Sequence, residues 1–178
     1  MKSRLIVIFL LILGCVGCKE RTPEYPDQPV VIVFENDVHC AIDGYAKLAA
    51  LKEQQLLETP YVTTVSCGDF VQGDVVGAFS KGENIVTIMN EVKYNVVTLG
   101  NHEFDFGMPQ LFKLRDSLNA SVVSTNFCDF RTGKHIFPSY QIIQYGEVDI
   151  AFMGFTTTTT PTMVAPHTFL NEDKQIVY

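Results

Sequence analysis

Three short stretches hold the residues whose types and spacing suit chemistry. Asp37-Val38-His39 offers a carboxylate and an imidazole. Gly68-Asp69 offers a carboxylate behind a glycine. The run from Gly100 to Asp105 offers an amide at Asn101, an imidazole at His102 and carboxylates at Glu103 and Asp105. Oxygen donors from Asp and Asn, joined by a His nitrogen, suit Mn, Zn, Fe or Co as divalent ions, and no thiolate set calls for a structural zinc. A carboxylate can bridge two ions. Two ions about 3.5–4 Å apart can clamp the attacking and leaving oxygens of an in-line displacement. Gly68 and Gly100 let the backbone come close to such ions.

The elements that must position these residues read as an α/β alternation. Val30–Asn36 is a continuous apolar strand of the kind buried on both faces. Asp43–Glu58 is helical, with Tyr45, Leu48 and Ala49 on one face and Asp43 placed to cap it. Tyr61–Ser66 is the second strand, Gly82–Tyr94 a helix, Val96–Leu99 the third strand, Met108–Leu118 a helix with Pro109 in its first turn, and Ser121–Asn126 the fourth strand. Ser139–Phe155 reads as a hairpin turning at Tyr145-Gly146-Glu147, adding a mixed edge to a largely parallel sheet. The run Thr156–Thr160 reads as a β-favouring edge ending at Pro161. In such a sheet, ligands bind at the carboxyl ends of the strands, where loop residues converge. Each of the three blocks lies directly after a predicted strand. One Asp at a strand end is ordinarily a turn residue or helix cap; three blocks in this order point to one shared site.

Composition bounds the rest. The chain has 178 residues, 47% hydrophobic and 19% charged, which is globular and suits one domain or a domain with part of another. Thirteen Lys and Arg stand against twenty Asp and Glu, a formal charge of -7, so a basic patch for nucleic acid is not expected. Lys2 and Arg4 precede the apolar run Leu5–Leu13, which is too short to span a membrane, where about 20 residues are needed. Cys15 and Cys18, each after a glycine, resemble the acylated cysteine of a bacterial lipoprotein signal. This predicts a signal over 1–18, export, and a lipid anchor at the bacterial cell envelope. Residues 19–29, with three prolines, read as a tether, and 30–178 as the folded part. Cys40, Cys67 and Cys128 remain, an odd count that suits small buried thiols better than a disulfide framework, with a Cys40–Cys67 bridge as the alternative.

The ordered blocks Asn36–His39, Cys67–Asp74 and Leu99–Gly107 resemble those of the calcineurin-like metallophosphoesterases. More narrowly they resemble the N-terminal catalytic domain of the bacterial 5′-nucleotidase / 2′,3′-cyclic phosphodiesterase family, from Val30 to the end of the chain. The resemblance implies a layered αββα sandwich and a hydroxide held between two divalent ions that attacks the phosphorus of a nucleotide. It implies that Asp37 and His39 bind one ion, that Asp69 bridges both, and that Asn101 binds the second and lies at the substrate. His102 would face the substrate phosphate and protonate or stabilise the leaving oxygen, oriented by Asp105. Glu103 reads as a surface or helix-start residue. Cys40 stands where that family usually has glycine, a departure that could crowd the first ion.

The family pattern also needs later His ligands, and of the two that remain, His135 and His167, neither lies in a matching block. The chain therefore reads as the first half of a catalytic domain, incomplete at its C-terminus, lacking the part that grips the nucleoside, weak in activity alone and with an unpaired sheet edge exposed. An inert lipid-anchored binding protein, or a hydrolase of cyclic nucleotides or nucleotide sugars, is the competing reading.

Overall fold

The computed structural model describes residues 25–178, so the predicted signal, the acylated cysteine and the start of the tether lie outside the described residues. Strands β1 (Val31–Glu35), β2 (Val62–Ser66), β3 (Val96–Val97) and β4 (Ser121–Val122) form one sheet in that order, all parallel. Between them run α1 (Ile42–Leu56), α2 (Val75–Ser80), α3 (Glu83–Val92) and α4 (Met108–Ser117). Strands added in sequence order through right-handed crossovers put every helix on the same face. Val31, Val33 and Glu35 lie in register with Val62, Thr64 and Ser66 on that face. The core there is built from Val33, Tyr45, Leu48, Ile85, Met89, Val97, Leu111 and Leu114.

The apolar periodicity of α3 drives its packing, since Ile85, Val86, Met89 and Val92 are all buried. Its C-terminus is closed from another element. The Lys52 ammonium of α1, itself buried, donates to the Val92 and Lys93 carbonyls at 3.0 and 2.6 Å. Several expectations are corrected. Asp43 does not cap α1; Ala41 holds that position and no side chain bonds there. Helix α2 went unread, although Asp74 caps it by accepting from the Val75 amide. The third strand is shorter than expected because the chain leaves the ladder after Thr98, whose amide still reaches the Ser66 carbonyl.

The hairpin is formed as expected, β5 (Tyr140–Tyr145) pairing antiparallel with β6 (Val148–Met153). It does not extend the first sheet. It is a separate two-stranded sheet stacked on the face away from the helices, where the Tyr145 hydroxyl meets that of Thr63 and Ser121 donates to Gln141 at 2.9 Å. Helices, sheet and second sheet thus make three layers; a second helix layer is not present among the described residues. Ile32 and Phe34 of β1 lie on the same far face and stay exposed beside the hairpin. The threonine run is not a strand edge. It turns after β6 and opens α5 (Thr160–Met163), with Thr156 and Thr160 buried. At the other pole, the segment before β1 is pinned by Thr59 donating to the Pro29 carbonyl and Tyr61 donating to Asp27.

Candidate metal centre

The loops after β1 and β2 are zipped together at the carboxyl end of the sheet. The Asp37 amide donates to the Gly68 carbonyl at 3.2 Å, and the His39 amide to the Asp69 carbonyl at 3.0 Å. Asp37, His39 and Asp69 all hold left-handed backbone, with φ of 53°, 47° and 61°. For a residue with a Cβ each such turn costs about 1–2 kcal/mol. The strain buys a cluster: one donor atom from each of the three lies within 4.8 Å of the others. His39 Nδ1 lies 3.0 Å from the Gln72 carbonyl, which can only accept, so the proton sits on Nδ1. Nε2 is left with its lone pair, 3.6 Å from Asp37 Oδ1. The Asn36 side-chain amide, donating to Asp37 Oδ2 at 2.6 Å, holds the Asp37 carboxyl below its ordinary value. Two carboxylates and a neutral imidazole nitrogen are a donor set that fits a divalent first-row ion.

The turn after β3 closes against this cluster. A Cβ on Gly68 would lie 2.2 Å from the Gly100 amide nitrogen, and one on Gly100 would lie 2.3 Å from Asp69 Oδ1. Only glycine lets the two turns approach so closely. The His102 amide donates to Asp69 Oδ1 at 2.9 Å, and the His102 ring stands edge-on to that of His39, centroids 4.9 Å apart. His102 Nδ1 lies 2.6 Å from Asp105 Oδ2. Burial works to lower the His102 pKa, but the Asp105 hydrogen bond and the charges of Asp105 and Asp69 outweigh it and raise it. Asn101 lies between Gly100 and His102, both in contact with Asp69.

Other residues fall differently. His135 lies against Cys128, 3.4 Å from its sulfur, and His167 is exposed in the last loop; neither joins the cluster. Cys40, Cys67 and Cys128 are free thiols; Cys40 is buried, but Cys67 is exposed, against the expectation. The Cys40 sulfur points to the Phe70 carbonyl beneath α2 and fills the space a Gly77 side chain would need. The threonine run lines, with Phe127, Phe130, Phe169 and Tyr178, a cavity of about 420 Å³ that none of the sequence-named site residues line. Glu103 overturns its surface reading: it is 1% exposed and accepts three backbone amides. Only the Gly100 amide, three residues upstream, is a local partner; the other two lie in the Asp69 turn, beyond the reach of a local pattern.

The family model described as calcineurin-like phosphoesterase matches residues 30–176. The chain belongs to that family. It is 28% identical to the snake venom 5′-nucleotidase of Gloydius brevicauda over 90% of this chain and 31% of that protein. It is 32% identical to the 5′-nucleotidase of Vibrio parahaemolyticus over 65% of this chain and 21% of that protein. Among solved structures, a putative 5′-nucleotidase from Staphylococcus aureus superimposes with a TM-score of 0.68 at 21% identity, over 79% of this chain and 31% of that one. The alignments thus span about a third or less of these 5′-nucleotidases' length. As a metallophosphoesterase the chain is of a hydrolase family, with a possible metal-binding group in place.

Proposed function

We propose that this chain carries the metal-binding part of a phosphoester hydrolase acting on nucleotides, of 5′-nucleotidase type. The observation that carries the reading is the Asp37, His39 and Asp69 cluster with the His102–Asp105 pair set against it. Asp37 and His39 would hold a first divalent ion, Asp69 would serve both ions, and Asn101 would hold the second. Such ions supply a nucleophilic water near neutral pH and balance phosphoryl charge. His39 keeps its lone pair outward because Gln72 holds its other proton. Asp105 favours the protonated form of His102, which would give a proton to the leaving oxygen. Soluble protein beginning at Lys19 should bind Mn²⁺ and hydrolyse AMP, with both lost in Asp69→Asn. Mn²⁺ uptake that Asp69→Asn leaves intact would refute the site.

One observation favours a second reading, a binding protein without turnover: among the described residues, neither His135 nor His167 joins the cluster. Metal uptake without hydrolysis of AMP, a cyclic nucleotide or a nucleotide sugar would select it. The pattern of Lys2, Arg4, Leu5–Leu13 and Cys15 or Cys18 supports export and a lipid anchor.

A further inference from the structure

Glu103 lies outside the donor cluster yet bonds to both turns that build it. Its Oε2 accepts from the Asp69 amide at 2.9 Å and the Gly100 amide at 2.6 Å, and its Oε1 accepts from the Phe70 amide at 2.9 Å. The Asp69 carboxylate returns the bond by accepting from His102 at 2.9 Å. Each turn is thereby held by a carboxylate of the other. These bonds bracket two positions the candidate centre depends on: Asp69, in its left-handed conformation, and Asn101, between Gly100 and His102. A carboxylate taken wholly out of water is costly unless it is well bonded. Burial pushes Glu103 up, to about 7, while the three amides hold it down. A surface role or a simple helix start would not call for such placement.

We propose that Glu103 is a positioning residue of the metal centre: it locks the Asp69 turn against the Asn101–His102 turn, so the ligands on both are set before an ion arrives. This rests on the metal-dependent reading given above. The variant Glu103→Gln makes the argument specific. Its amide oxygen can serve the paired Asp69 and Gly100 donors, but its NH₂ then faces the Phe70 amide, donor against donor. The side chain keeps its volume while one of three bonds becomes a repulsion.

Mn²⁺ affinity of the chain from Lys19 is the first readout, with Ile85→Ala in α3, fully buried and not one of the donors, as a destabilised control. Glu103→Gln should weaken Mn²⁺ binding by about tenfold or more, as loss of a group that orients ligands does. Ile85→Ala should lose thermal stability and keep its affinity. The second readout needs no variant. In EDTA, the Asp69, Phe70 and Gly100 amides of the unaltered chain should resist hydrogen exchange as strongly as the core of β2. Equal Mn²⁺ affinity in Glu103→Gln, an equal loss in Ile85→Ala, or free exchange at those amides would overturn the positioning role and leave the phosphoesterase reading standing. No Mn²⁺ uptake by the unaltered chain would overturn both.

Discussion

Replacing Glu35 by Gln should stabilise this protein in mild alkali and leave it almost unchanged in acid. Glu35 ends β1 on the helix-facing side, and neither of its carboxylate oxygens makes a well-formed hydrogen bond. The Tyr45 and Tyr94 hydroxyls nearby are buried and equally without partners. Burial raises its pKa from about 4.5 to about 7; the Ser66 and Tyr94 hydroxyls pull the other way, and the charges of Glu103 and Asp37 add to the rise. The sign follows from linkage. Below the unfolded value both states are protonated and the native chain bears no penalty. As pH rises toward 7 the unfolded chain ionises first, so stability is lost across that window, by up to about 3 kcal/mol. A glutamine of the same shape does not titrate. Urea unfolding in EDTA, which keeps ions out of the comparison, should give a gain of about 1–3 kcal/mol near pH 8 and under about 0.5 near pH 4. The same difference at both pH values would refute the reasoning, because Glu35 would then ionise as an exposed glutamate does.

Asp105→Asn should drop the His102 pKa toward its ordinary value and cut kcat at neutral pH by about tenfold or more with little change in KM, since the acid is present in smaller fraction and less well aimed; a pH–rate profile that does not move would count against it. Gly77→Ala should cost about 1–3 kcal/mol, because its Cβ would stand 1.9 Å from the Cys40 sulfur, and Cys40→Gly in the same chain should recover most of the loss, also relieving the φ of 64° at Cys40. Lys52→Met should cost about 1–3 kcal/mol in urea unfolding, since the Val92 and Lys93 carbonyls lose their charged donor.

The alternation of strands and helices was legible because a buried strand and an amphipathic helix leave different periods in the chain. The convergence of Asp37, His39 and Asp69 was legible for the same reason: three blocks each after a parallel strand must open on one edge. What local pattern cannot carry is the partner. The alternation in Tyr140–Tyr145 shows two faces but not whether the hairpin pairs with β4 or stacks on the sheet. The unpaired β-branched run Thr156–Thr160 reads as strand until tertiary packing buries Thr156 and Thr160 against a turn. The burial of Glu103 is illegible because a charged residue is assumed to be wet unless its donors are known, and two of its three donors are backbone amides of the distant Asp69 turn.

The pinned segment before β1 fixes which way the centre looks. Pro29 and Asp27 are tied beside the starts of β1 and β2, while the metal cluster stands past their ends. Five strand residues separate the two poles, about 17 Å of rise. The chain therefore enters the domain at the pole opposite the donor cluster, so a bulky group fused ahead of Tyr25 would attach on the side away from the mouth where Asp37, His39 and Asp69 converge.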